Sequence, residues 1–190
     1  MPTHVALLRG INVGGHNKVA MSDLRGVVTS LGHGDVATYI QSGNVVFTAS
    51  APDAGTAALA AALEERIADE LGVRPRVVVI TRDELAHVVA ANPYPDEADP
   101  KRLHAVFLAA APSLSQVEAV ATASRRAREQ GGRDEVTVLG RTMYLRTPDG
   151  LGRSKLAAVL ARPGTGAEAP PEGTARNWST VLKLLALLDA

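Results

Sequence analysis

Cysteine is absent from the 190 residues. That excludes disulfide bracing, thiolate metal ligands and thiol nucleophiles, and it suits a reducing compartment. Aromatic residues are scarce, at 3%, which argues against a platform of stacked rings for reading bases. Neither sign of charge is in excess. Twenty Lys and Arg balance twenty Asp and Glu, so no global field selects nucleic acid or membrane. Long apolar runs are missing too: Leu156 to Ala161 and Val181 to Leu188 are too short or too interrupted to cross a bilayer. Met1 to Val5 carries neither the basic region nor the apolar stretch of a secretory signal. The expectation is a cytoplasmic protein with no membrane partner. Hydrophobic side chains make up 46%, enough for one core or for two small domains packed together.

Read along the chain, His4 to Arg9 is a buried strand that ends at the loop Gly10 to Asn17. Ser22 stands as an N-cap ahead of Leu24, Val27, Val28 and Leu31 at helical spacing, and Gly32 stops that helix. Val36 to Ile40 and Asn44 to Thr48 read as strands joined around Ser42-Gly43. The Ala-rich stretch Ala54 to Leu71 is a helix closed by Gly72, and Arg76 to Ile80 is a β-branched strand. The order β-α-β-β-α-β is that of a ferredoxin-like unit.

A short helix, Arg82 to Ala91, leads into a Pro-rich, acidic stretch, Asn92 to Pro100. A second series follows: strand Leu103 to Ala109, helix Ser113 to Gln130, strands Glu135 to Leu139 and Met143 to Arg146, then a helix from about Ser154 to Ala161. Pro163 to Gly173 holds three prolines and three glycines and reads as a mobile connection. Ala175 to Leu188 reads as a closing helix, with Thr174 placed to cap it. The expected fold class is α+β, two ferredoxin-like (βαββαβ-type) repeats with antiparallel sheets, packed together in one compact chain. The expected divisions are residues 1–81, a helix and linker over 82–102, and residues 103–190.

Three stretches differ from ordinary core and ordinary surface. They are Leu7 to Met21 (LLRGINVGGHNKVAM), Thr38 to Phe47 (TYIQSGNVVF), and the pair Gly152 to Leu156 (GRSKL) and Thr174 to Lys183 (TARNWSTVLK). Together they resemble, in the same order, the segments of a bacterial family catalogued as domain of unknown function 1697. The resemblance implies an α+β fold of two ferredoxin-like repeats and brings no activity, substrate or catalytic residue with it. Two departures stand out. His16 sits where the family more often has Lys or Asn, and Ala20 where it often has Pro. A cation supplied at position 16 would therefore depend on pH.

These stretches also share a charge pattern. Arg9, Lys18, Arg153, Lys155, Arg162, Arg176 and Lys183 lie in or beside them, and the windows 2–22, 36–50, 150–162 and 174–188 contain no acid. If they converge, a chain neutral overall is locally basic, which favours an anionic small molecule as partner. The expected ligand-binding residues are Arg9, Gly10, Asn12, Gly14, Gly15, Asn17, Lys18, Gln41, Ser42, Asn44, Arg153, Ser154, Lys155, Arg176 and Asn177. Cations supply charge, the asparagines directional bonds, and the glycines close backbone approach. Each has a plainer reading beside it. Glycines shape turns, polar side chains hold loops, and Trp178 anchors a core.

No cofactor motif is present. The glycine loop lacks the Gly-Lys-Ser/Thr of a phosphate loop and the spacing of a dinucleotide fingerprint. The five histidines show no metal-ligand spacing. Ser42 with His16, or Ser154 with Lys155, are weak candidates for nucleophilic catalysis, since nucleophile and base must touch. Alternatives to anion binding are a nucleic-acid-binding module, less favoured for want of aromatics, and a scaffold or oligomerisation module with no ligand. The motifs assign no reaction to the chain.

Overall fold

The computed structural model describes residues 1–51, 53–160 and 169–190. By contact these fall into two units, Met1–His87 with Leu182–Ala190, and Val88–Val181. The sequence readings at Arg162 and over most of Pro163 to Gly173 lie outside the described residues.

The first unit contains β1 (His4–Arg9), α1 (Met21–Ser30), β2 (Gly34–Tyr39), β3 (Asn44–Thr48), α2 (Thr56–Leu71) and β4 (Arg76–Thr81). Its sheet has the order β2-β3-β1-β4. The central strand β1 runs antiparallel to both β3 and β4. One face of it, Ala6 and Leu8 with Val45, Phe47, Val77 and Val79, packs with Leu24, Val27 and Val28 of α1 and Leu59, Leu63 and Ile67 of α2. The helical residues recur at the three- and four-residue spacing that puts them on one side. Alternate strand residues on the other face, Val5, Leu7, Val46, Val78 and Ile80, are buried as well. A strand buried on both faces reads as a continuous apolar run rather than an alternating one, which is how VALL and VVVI appear in the sequence.

The second unit repeats the pattern. It holds β5 (Leu103–Leu108), α4 (Leu114–Glu129), β6 (Glu135–Leu139), β7 (Thr142–Arg146), α5 (Lys155–Leu160) and β8 (Gly173–Asn177), with sheet order β6-β7-β5-β8. Two elements, α3 (Arg82–Ala90) and α6 (Trp178–Leu188), each contribute residues to both units. Ser113 and Gln116 form a reciprocal capping box at the start of α4. The Asn92–Pro100 stretch is tied to the second sheet. The Tyr94 hydroxyl meets Thr137 at 2.9 Å, Arg146 reaches Glu97 and Glu135 at 2.8 and 2.7 Å, and the Trp178 N–H donates to the Pro100 carbonyl. The fold is α+β, with two ferredoxin-like antiparallel sheets.

Two local readings are corrected. The segment from Ala175 is not helical at its start: Gly173–Asn177 is a strand, paired from His104↔Asn177 to Leu108↔Gly173, and the helix begins at Trp178. Its composition has little β-branched character, so pairing with β5 overrides local preference. Thr174 therefore lies buried in a strand, and Asn177 caps α6 by accepting from the Thr180 N–H at 2.9 Å. With β8 in place the second repeat has its sixth element. In α1, Ala20 occupies the N-cap without a side-chain bond, while Ser22 lies inside the first turn and donates to Asp23.

His4, His33 and His104 are buried at 6%, 7% and 6% exposure. Burial lowers the pKa of all three below the ordinary 6.5; for His4, Glu84 opposes that shift and His33 adds to it. The unfolded chain therefore binds these protons more readily, so stability is full above about pH 6.5 and is lost as pH falls below it. The melting temperature should drop between pH 7 and 5, and His33→Asn should flatten the slope. A melting temperature constant across that range would contradict this account. Glycines give a second check. A Cβ on Gly43, at φ +75°, meets Leu8 Cβ at 2.8 Å and Ile11 Cδ1 at 2.9 Å, so Gly43→Ala should destabilise by roughly 1–3 kcal/mol. Gly26 sits inside α1 with nothing within 4 Å of an added Cβ. Gly26→Ala should stabilise by roughly 0.5–1 kcal/mol in denaturant unfolding.

Candidate functional site

The stretch between β1 and α1 covers residues 10–20, whereas its counterpart between β5 and α4 covers only 109–113. The longer connection is itself a miniature hairpin. Gly14 and Gly15 both have positive φ, +58° and +81°, and the His16 N–H donates to the Val13 carbonyl at 3.0 Å. Two central residues with φ above zero make the turn that matches strand twist, and glycine adopts it without strain.

Two asparagines close the neck of this hairpin. The Asn12 N–H donates to the Asn17 carbonyl at 3.1 Å, and the Asn17 side chain donates to the Gly10 carbonyl at 2.9 Å. The Asn12 amide does more. Its Nδ2 donates to the Val19 carbonyl at 2.9 Å and the Gln41 carbonyl at 3.0 Å, and its Oδ1 accepts from the Val19 N–H at 2.9 Å. One side chain thus holds the base of the loop and the Ile40–Gly43 turn side by side. Asn12 and Asn17 themselves carry positive φ, +55° and +48°, a region their short polar side chains tolerate. In the second loop Asn44 is fully buried and donates to the Tyr39 carbonyl at 3.0 Å and to Ser42 Oγ at 2.9 Å.

The charges of the first unit follow from this closure. Arg9 precedes Gly10 and Lys18 follows Asn17, so the Asn17–Gly10 bond brings the two cations to opposite sides of the neck. Lys18 is exposed and Arg9 half-buried. Pairing of β1 with β4 sets Arg76 directly opposite Arg9, a third cation that sequence inspection passes over because only the register reveals it. Arg76 is also 3.6 Å from Glu64. Arg25 adds a fourth, donating to Thr38 Oγ1 at 2.8 Å.

Residues from the C-terminal stretches lie mostly in the second unit, and their setting is less basic than the sequence suggests. Ser154 is buried, donates to Asp134 at 2.8 Å and accepts from the Ala157 N–H at 2.8 Å, capping α5. Arg153 is exposed but acts on Asp149, whose carboxyl is held low first by Arg133 and then also by Arg153 and Arg102. The Lys155 ammonium donates to the Gln130 carbonyl at 3.3 Å. Arg176 is 8% exposed. Its Nη1 donates to Thr174 Oγ1 at 3.1 Å and the Ala175 carbonyl at 2.8 Å, and burial pushes its pKa down to about 10. Asn177 spends its side-chain oxygen on the helix start, accepting from Thr180 and Ser179. The acid-free window 150–162 is therefore faced by acids in space, at Asp134 and Asp149.

The catalytic pairings do not form. The His16 ring makes no hydrogen bond among the described residues, and Ser154 is engaged by Asp134 rather than Lys155. No group of three His, Asp or Glu side chains among the described residues is placed to hold a metal ion. No helix is long and apolar enough to cross a membrane among the described residues. A groove of about 730 Å³ runs along α4 and α5, lined by Ser115, Thr122, Arg126, Gln130 and Lys155 among others. Of the candidate residues only Lys155 touches it.

A family model described as "Protein of unknown function (DUF1697)" matches residues 1–144. The chain belongs to that family. The DUF1697 match takes in both loops of the first unit and ends before Gly152–Leu156 and Thr174–Lys183, which the resemblance of motifs included. No curated protein matches the chain. Among solved structures, the conserved bacterial protein SP0830 from Streptococcus pneumoniae is similar at 23% identity, with a TM-score of 0.71 over 98% of each chain. At that identity the likeness concerns the fold.

The clamp leads to a direct expectation. Asn12→Ala removes three bonds at once, two of them part-buried and one exposed, and at about 1 kcal/mol for each it should cost roughly 2–3 kcal/mol of unfolding free energy. Amide exchange at residues 40–43 should accelerate along with that at 13–19. Acceleration confined to 13–19 would mean that the two loops are not coupled through Asn12.

Proposed function

We propose that the first unit binds an anionic, phosphate-bearing small molecule at the neck of the 10–20 loop. The observation that carries this reading is the closed hairpin itself, which holds Arg9 and Lys18 on either side of a short exposed stretch without a carboxylate of its own. Cations set on a rigid frame lose little entropy on capturing an anion, and a longer loop present in only one of two repeats is where function concentrates. Lys18 makes no ion pair among the described residues, so its charge is available to a ligand. Arg153, Lys155 and Arg176 belong to the second unit and are not part of the proposed site.

A structural reading has its own support: the amides of Asn12, Asn17 and Asn44 bond to their own loops. One experiment separates the two. Purified protein at low salt is heated with phosphate, sulfate, mono- and dinucleotides, sugar phosphates, or short RNA and DNA, beside Lys18→Glu. A ligand present at a hundred times its Kd should add about 2.7 kcal/mol of stability. That gain should shrink with added salt and disappear in Lys18→Glu. If every member of the panel leaves the melting temperature unmoved, the anion site is wrong and the loops are scaffold.

A further inference from the structure

Four non-glycine residues among those described have φ in the left-handed region: Asn12, Asn17, Asp35 and Ile40. The first three are types that tolerate it. Ile40, at φ +49°, is not, because a β-branched side chain crowds its own backbone there. Glycine or asparagine at this turn would relieve the strain. Nor does core burial explain the isoleucine, since its side chain is 51% exposed. Strain retained without burial points to use of the side chain at the surface.

The neighbouring loop carries a second exposed aliphatic residue, Val13, at 67%. The 3.0 Å bond from Asn12 to the Gln41 carbonyl joins the residue before Val13 to the residue after Ile40. The two apolar side chains are thus mounted on loops pinned together, one on each. Lys18 and Arg9 flank the neck of the first loop, and Arg25 is bonded to Thr38, two residues before Ile40. Cationic and aliphatic groups on two loops joined by a hydrogen bond suit a ligand that is anionic at one end and apolar at the other. A bare inorganic anion uses only half of this arrangement.

We infer that the loop pair takes a phosphate monoester with a flat apolar body, of the nucleoside monophosphate class. The phosphate lies at the Arg9–Lys18 neck and the base rests against Val13 and Ile40. This rests on the anion-site reading above and adds the ligand's second half. A single base is favoured over a nucleic-acid strand, because the loop pair offers two aliphatic contacts and no run of aromatic residues on which successive bases could stack.

The test is calorimetric and NMR titration at low salt with inorganic phosphate, ribose 5-phosphate, adenosine 5′-monophosphate, adenosine and a six-nucleotide RNA. The monophosphate should bind at least tenfold more tightly than ribose 5-phosphate, shifting the amides of residues 13–18 and 40–42. In Ile40→Gly and in Val13→Ser this ratio should fall to about one, with affinity for inorganic phosphate unchanged. Ile40→Gly removes backbone strain, so an undiminished melting temperature should accompany its loss of discrimination. Equal binding of ribose 5-phosphate and the monophosphate overturns the apolar contact while the anion site stands. Binding of none of the five overturns both. An RNA that binds tenfold more tightly than the monophosphate overturns the single-base class in favour of a strand.

Discussion

The side-chain amide of Asn12 meets both backbone groups of Val19 and the carbonyl of Gln41, and the character of the first unit depends on those bonds. An amide is the side chain suited to this place, since it offers two donors and an acceptor in one plane. It turns a long connection, which would otherwise carry unsatisfied or mobile backbone, into a closed hairpin. The closure sets where Arg9 and Lys18 stand. Through Gln41 it also extends to the turn that holds Ile40, Ser42 and Gly43, where Gly43 lies so close to Leu8 and Ile11 that no side chain fits.

The two repeats use the same frame for different ends. Corresponding backbone bonds, Leu8 to the Gly43 carbonyl and Leu108 to the Arg141 carbonyl, mark equivalent points, and His4 and His104 each stand four residues before them. Where the first repeat then extends residues 10–20 as an exposed hairpin, the second passes through 109–113 into a helix with its own capping box. Polar groups at the C-terminal motifs are turned inward or towards acids instead: Ser154 to Asp134, Arg153 near Asp149, Arg176 into a buried strand. Polar and cationic side chains that a linear reading spreads over both ends of the chain are thus more exposed in the first unit's loop than at Ser154 and Arg176, which are buried.

Much of this was legible beforehand for identifiable reasons. Strands such as Val77 to Ile80 announce themselves because burial on both faces demands an unbroken apolar run. Helix α2 follows from alanine content and from Gly72 in the left-handed cap at its end. Strand β8 was not legible, because Gly-Thr-Ala-Arg-Asn has no strand preference of its own and is extended only by pairing with β5. The acids near the Gly152–Leu156 stretch were hidden for a related reason. Asp149 lies just outside the acid-free window, and Asp134 approaches Ser154 only across the fold.

Sequence alone determined the alternation of elements as far as α5, the family, and which segments are unusual, since these depend on local pattern and composition. Tertiary structure decided which of those unusual residues are held in common. The Asn12–Gln41 bond spans 29 positions, and Arg76 reaches Arg9 only through strand register. A contact between residues far apart in the chain leaves no periodic trace in either neighbourhood, so it exists only once the backbone has closed around it.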